Sequence, residues 1–354
     1  MKWDYRALLR GNVKRRLIGS AVTLAVLGAG AYGFQLQYPA ANTGRACSGM
    51  LPVDSVLDLA GKSRLYLLGL GFDVSSWQFD VSDDVTEPPG LATRCIVDGV
   101  EISIETTVGV HNPYASYTFQ RDQESFPVPL NAGWQGFIVT EKLDQATASV
   151  LLSCKNWESK DGSGIFVTAG SPYDAEVTED VRLKLARVVT GTAQRAAEKT
   201  GCVTEPGDAS KLTAPDADAR TVAADDATGT CKGMTSASTV RETAAEASPV
   251  EECLLTGSLQ LTAKYGPFSD ASDAIVNGKY GGHDTPAGVD SSTAWTSATC
   301  QGALGIGYYH ASPVETSDRE FTSRPLTKSE RADLQRFAEQ SAARHGCDSP
   351  AALP

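Results

Sequence analysis

Residues 146–154 read ATASVLLSC, residues 164–172 read GIFVTAGSP, and residues 193–202, after a helical run, read AQRAAEKTGC. The chain repeats this order with STAWTSATC at 292–300, GIGYYHASP at 305–313 and AEQSAARHGC at 338–347. Thr147, Ala148 and Cys154 answer Thr293, Ala294 and Cys300, and Gly201 and Cys202 answer Gly346 and Cys347. In the middle block Gly164, Ile165, Ser171 and Pro172 answer Gly305, Ile306, Ser312 and Pro313, which sets His310 against Ala169. Self-similarity over this length decides architecture before any motif does.

Each copy reads as two strands and a helix. Val181, Leu185, Val188, Val189, Thr192 and Ala196 form one stripe of a helix over 177–199, and Gly201 is its stop signal. In the second copy Leu334, Phe337, Ala338, Ser341 and Ala342 form the stripe, and Thr327 with Glu330 is a capping box at its start. Upstream, Cys95 leads a hairpin that turns at Asp98-Gly99, and Cys253 leads its counterpart at Thr256-Gly257. Cys47-Ser-Gly-Met50 answers Cys231-Lys-Gly-Met234. Helices are expected over 53–60 and 236–247. The expected fold class is α+β: an N-terminal transmembrane helix, then two tandem repeats (47–202 and 231–347), each an antiparallel sheet with helices on one face.

Between the repeats, residues 203–230 have one leucine and six acids against Lys211 and Arg220, with no apolar period. That composition reads as a disordered acidic linker. Residues 348–354 read as a loose tail.

All eight cysteines have counterparts: Cys47 with Cys231, Cys95 with Cys253, Cys154 with Cys300, and Cys202 with Cys347. None forms a C-x-x-C, so the spacing suits disulfides in an oxidising compartment better than metal or dithiol redox chemistry. Four cysteines per repeat allow three connectivities. A strand up, a strand down and a helix up would bring Cys154 to Cys202, leaving Cys47 for Cys95; likewise Cys300–Cys347 and Cys231–Cys253. The nested alternative joins first to fourth and second to third.

Residues 1–16 carry Lys2, Arg6, Arg10, Lys14, Arg15 and Arg16 against Asp4. Residues 17–36 are uncharged and mostly apolar, about 30 Å as a helix, long enough to span a bilayer. The basic flank orients the leader inward and the body outward. A cleaved signal peptide, with Ala29-Gly30-Ala31 as its small-residue site, is the rival reading. The whole chain has net charge −12, so the body after the leader carries −17. Such a body is a poor partner for nucleic acid or anionic lipid headgroups.

An opening Cys-x-Gly-hydrophobic, a Cys-led strand, Ala-x-Val-x-Leu-x-Cys and a closing Ala-x-x-Ala-x-x-x-Gly-Cys helix together resemble actinomycete (Streptomyces-like) secreted or membrane-anchored cell-envelope proteins with paired cysteines. The resemblance covers both repeats at cysteines and apolar positions. It implies an envelope location and carries over no catalytic residue.

Candidate chemistry is thin. His111, His283, His310 and His345 have no Gly-x-Ser-x-Gly elbow to serve. Asp73, Asp80, Asp83 and Asp84 cluster without EF-hand spacing. Trp77, Trp134, Trp157 and Trp295 are candidates for a groove lining or for packing, Trp157 being the best placed for exposure. The reading is therefore of a non-enzymatic binding or interaction module. It has no cofactor, no metal and no catalytic residue, is anchored through residues 17–36, and has an envelope protein or glycan as partner. An extracytoplasmic hydrolase and an envelope sensor are the alternatives, the second weakened by a sixteen-residue leader too short for a signalling domain.

Overall fold

The computed structural model describes residues 40–62, 73–78, 92–107, 125–141, 145–157, 164–172, 176–270, 283–314 and 319–354, with Val22, Thr23, Val26 and Gly28. The rest of the expected membrane segment, His111, Asp80, Asp83 and Asp84 lie outside the described residues. Among the described residues no helix is long and apolar enough to cross a membrane.

The fold is α+β, with two antiparallel seven-stranded sheets and few helices. The first sheet contains β1 (Val74–Gln78), β2 (Ala92–Val97), β3 (Val100–Thr106), β4 (Val128–Pro129), β5 (Gly136–Glu141), β6 (Gln145–Ser153) and β7 (Gly164–Gly170), in the order β1-β2-β3-β7-β6-β5-β4. The second contains β8 (Arg220–Ala223), β9 (Thr239–Glu242), β10 (Val250–Leu255), β11 (Leu259–Lys264), β12 (Ala287–Val289), β13 (Ala294–Thr299) and β14 (Ile306–Pro313). Read from β8, its order is β8-β9-β10-β11-β14-β13-β12. With the cysteine-led strands β2 and β10 set against each other, six successive strands correspond. β4 and β8 are then extra strands at opposite edges.

The registers agree as well. Cys95, Ile102, Ala169 and Ala148 lie side by side across the first sheet, and Cys253, Leu261, Ala311 and Ala294 across the second. This corrects one expected pairing: Ala311, not His310, holds the place of Ala169. The turn after β10 has one more residue than Asp98-Gly99, since Leu255 pairs with Leu259 where Val97 pairs with Val100. A one-residue shift in a strand moves every side chain to the other face. Tyr309 therefore joins the core and His310 faces away from it.

Helix α1 (Val53–Leu59) packs on α2 (Glu179–Thr200), and α2 covers one face of the first sheet. Leu185, Val188, Val189, Ala193 and Ala196 are fully buried there with Val150, Val167 and Ile102. Helix α3 (Lys328–His345) covers the second sheet with Leu334, Phe337, Ala338, Ser341 and Ala342 buried. Its expected capping box is present. Glu330 also takes both Arg319 nitrogens and Ser258, and these bonds, led by the one from Arg319, bring its pKa down to about 2.

Both long helices end alike. Gly201 and Gly346 turn left-handed at φ 69° and 64°, and the next N–H, of Cys202 or Cys347, returns to Ala197 or Ala342. This Schellman geometry aims the cysteine back at the sheet. The disulfides are Cys47–Cys95, Cys154–Cys202, Cys231–Cys253 and Cys300–Cys347, the adjacent pairing and not the nested one. They close separations of 48, 48, 22 and 47 residues. In the chain-entropy account each contributes about 3–4 kcal/mol.

Three segments differ from expectation. Residues 236–247 are not a helix but contain β9. The Ser236 N–H donates to the buried Asp333 carboxylate (2.7 Å), and β9 pairs with β10, so tertiary partners outbid the helical pattern. Residues 203–230 are not a disordered linker. Gly207 lies against Trp134, Asn131 makes two bonds to the Thr213 backbone (2.9 and 3.0 Å), and Arg182 donates to the Pro215 carbonyl (3.0 Å). Its second half forms β8. The 348–354 tail is ordered along β13: Asp348 and Ala351 donate to the Thr299 and Ser297 carbonyls.

The sheets also share a core. Phe137, Val139, Leu151 and Phe166 project from the face of the first sheet opposite α2 and join the cluster beneath α3. Phe268, on the single turn Pro267–Asp270, meets Phe137 and Phe166 edge-on at 5.2 and 5.0 Å. The Ala303 N–H donates to Ser153 Oγ (3.2 Å). Phe268→Ala should therefore cost about 3–5 kcal/mol. It should also split one calorimetric unfolding transition into two. Wild-type protein that already melts in two independent steps would contradict a shared core.

Candidate functional site

A cleft of about 260 Å³ opens at the junction of the sheets, lined by Val128 of β4, by Asp216, Asp218, Arg220, Thr228, Gly229 and Glu242, and by 243–245. Its floor is the Glu242 carboxylate, which is wholly buried. An uncompensated carboxylate in such a place would be costly, and every side of this one is used. It accepts the N–H groups of Thr228 (3.1 Å), Gly229 (2.8 Å) and Cys231 (3.2 Å). Arg220, its cross-strand neighbour on β8, adds Nη2 at 2.8 Å. Gly229 is required by the close approach: a Cβ there would lie 2.0 Å from the Thr243 carbonyl oxygen. The floor is thus rigid and its charge spent.

The rim is less saturated. Asp218 pairs with Arg241, whose guanidinium lies 4.5 Å over the Phe126 ring. Burial, and then the negative charge of Asp216, push the Glu246 carboxyl up. Arg220 binds Thr228 and Glu242 through Nη2 alone and its side chain stays 57% exposed.

A second polar cluster lies under the end of α3. His345 Nε2 is 3.0 Å from Glu251, and Arg344 pairs with the same carboxylate. Burial pulls the Glu251 carboxyl upward, but the His345 hydrogen bond and the Arg344 charge outweigh it, leaving the pKa below its ordinary value. The Tyr265 ring tilts against His345 at 3.9 Å between centroids, and its hydroxyl shares a 2.6 Å bond with Ser341. Burial raises the Tyr265 and Tyr309 hydroxyls, which stay protonated donors. The Glu251 and His345 side chains are 1% and 0% exposed, so this is internal bracing and not a site open to substrate.

The third cluster is on the face of the second sheet turned away from α3. His283 stacks on Trp295 at 3.5 Å and 6°, and Tyr308 and His310 lie beside each other at 5.1 Å. His310 stands between Thr262 and Trp295 in the register, with Glu252 on the far side of Thr262. The structure thus brings two of the sequence-derived histidines to one tryptophan and leaves His345 on the opposite face. Trp134 is buried, and Trp157 is half-buried against the core that holds Cys154 and Cys202. Trp77 lies on edge strand β1. Asp73 is exposed, its carbonyl accepting the Asp98 N–H. Among the described residues no three His, Cys, Asp or Glu side chains converge as a metal site.

The cleft residues were not singled out in the sequence. Arg220, Asp216 and Asp218 sit in the stretch that reads as linker, and Glu242 in the stretch that reads as helix. An isolated Arg-Thr-Val-Ala among acids was the one available signal. Compared with known proteins, the chain matches no family model, no curated protein and no solved structure.

Glu105 gives the stability of the fold a dependence on pH. It lies on β3 beside Phe166, in the face that meets the second sheet, and burial raises its pKa from 4.5 to about 7 despite nearby Arg94. Stability is fully present below the unfolded value of 4.5 and is lost as pH rises through about 7. The loss is on the order of 3 kcal/mol. Glu105→Gln should flatten that fall and raise the melting temperature at pH 8. Parallel pH profiles for the two proteins would show that Glu105 ionises freely.

Proposed function

We propose that the chain is a non-enzymatic binding and interaction module of the cell envelope, anchored by residues 17–36 with its body outside the membrane. The four disulfides carry this reading. All eight cysteines are paired, and such bridges persist in oxidising compartments. The anchor rests on the basic leader, the apolar run and the positive-inside rule. The resemblance to paired-cysteine envelope proteins of actinomycetes is in keeping with it.

The corresponding strand orders, cysteine registers and helix caps support a further point, that the two sheets are tandem copies of one unit. Their differences favour binding over catalysis. The buried acids Glu242, Glu251, Glu330 and Asp333 are consumed by internal hydrogen bonds. The groups left for a partner line the junction cleft, which neither copy has alone. An envelope protein or a glycan is the partner class.

Protease added to intact spheroplasts should digest the body and leave a membrane-retained fragment containing residues 17–36. Full protection would reverse the orientation. Release of the whole body into the medium, with a new N-terminus near Tyr32, would replace the anchor by a cleaved signal.

A further inference from the structure

We infer that Arg94 is a two-position switch on the first sheet: it pairs with Glu101 while Glu105 is protonated, and swings to Glu105 when that carboxyl ionises, releasing Glu101. The inference makes no use of where the chain resides, so it stands apart from the envelope reading. Register sets the geometry. Arg94 of β2 faces Ser103 of β3, and Glu101 and Glu105 stand two places to either side of Ser103. Period-two alternation puts all four on one face, the one turned away from α2. Both acids are thus diagonal neighbours of Arg94, about 7–8 Å away, a span that a long side chain covers.

Burial makes the two acids unequal. Arg94 is paired with Glu101, whose side chain is 26% exposed. Glu105 is 6% exposed. Among the described residues it accepts no hydrogen bond, and Arg94 is the charge that acts on it. A buried carboxyl without a donor is held neutral, and a neutral acid leaves the guanidinium to Glu101. Ionised, Glu105 becomes the stronger claimant. A charge pair gains more where water is excluded, and a buried anion without a partner costs more than an exposed one, whereas Glu101 can turn to water. No other described cation is placed to answer Glu105: in the register β1 sets Trp77 against Arg94, and β7 sets Phe166 against Glu105 and Thr168 against Ser103. The exchange centres on pH about 7, where burial has raised the Glu105 pKa. The shared core lies next to this position, since Phe166 meets Phe268. The swing therefore supplies a counter-charge beside that core as pH rises, and moves the unpaired negative charge out to Glu101, near the Asp98-Gly99 turn.

The test is carbon NMR of the full-length protein in detergent, with glutamate carboxyls labelled, titrated from about pH 5 to about pH 9, a range that brackets the Glu105 midpoint. The Glu101 carboxyl should show an inflection at the Glu105 midpoint, and Glu105→Gln, which keeps the shape of the neutral acid, should abolish it. Arg94→Gln should abolish it too. It should also raise the Glu105 midpoint by at least about one pH unit, because it removes the cation that favours the carboxylate. An inflection that persists in Arg94→Gln would show Glu101 sensing Glu105 directly and would overturn the switch. So would a wild-type Glu101 signal with no inflection near that midpoint, or a Glu105 midpoint unmoved by Arg94→Gln. Should Arg94→Gln fail to fold, crystals of the wild type at the two ends of the range decide the matter: the guanidinium on Glu101 at the acid end and on Glu105 at the alkaline end supports the switch, and the guanidinium on Glu101 at both overturns it.

Discussion

In each half of the molecule a strand end is bonded covalently to the cap of the helix that lies on its sheet: Cys154 to Cys202, and Cys300 to Cys347. The left-handed glycine before each second cysteine turns the chain back so that the thiol reaches the strand. A helix held only by its apolar stripe can slide or lift; bonded at its end, it has one seating. The stripes need that help. The α2 stripe is largely Ala, Val and Thr, side chains that bury little area apiece. Cys47–Cys95 and Cys231–Cys253 do the same at the other end, joining the opening turn to the hairpin strand. In the first half that turn holds Cys47, Ser48 and Gly49 at φ 45°, 55° and 81°, a left-handed run that the bridge helps to maintain.

The second constraint is the joint between halves. The face of an antiparallel sheet not covered by its own helix is commonly left to solvent. Here Phe137, Leu151 and Phe166 give the first sheet a second apolar patch, and Phe268 of the other half fills it. Segment 203–230 follows from this. Its first part packs on the loop around Trp134 and its second part adds β8, so the chain crosses between halves without a free span. The cleft exists only because this crossing brings β4, β8 and β9 together.

Burial of polar groups distinguishes the halves. Corresponding positions across the faces turned away from α2 and α3 hold Arg94, Ser103, Thr168 and Ser149 in the first sheet and Glu252, Thr262, His310 and Trp295 in the second. The strand order and register correspond while the side-chain chemistry differs. The second half also carries the buried Glu251–Arg344–His345 set, where removing one charge would strand another. Such sets limit substitution, because Glu251 is held by both Arg344 and His345.

Local chemistry was legible from the residues in order. The Asp98-Gly99 turn, the Thr327–Glu330 capping box, the glycine stops and strands β6 and β7 all rest on backbone preferences that act over a few residues. The cysteine pairing was legible as the simplest outcome of up-down-up topology. Tertiary structure decided whatever depended on distant partners. Residues 236–247 have a helical composition, yet the Asp333 carboxylate and the edge of β10 claim their backbone groups. Residues 203–230 lack an apolar period, yet Asn131, Arg182 and β9 supply from elsewhere the partners that the segment cannot supply itself. The face of His310 was set by the pairing of β14 with β11 and β13, in which Ala311 and not His310 meets Leu261 and Ala294. The cleft was invisible for the same reason: Val128, Asp216, Arg220 and Glu242 acquire a common purpose only when two sheets meet, and contact across more than a hundred residues leaves no local trace in sequence.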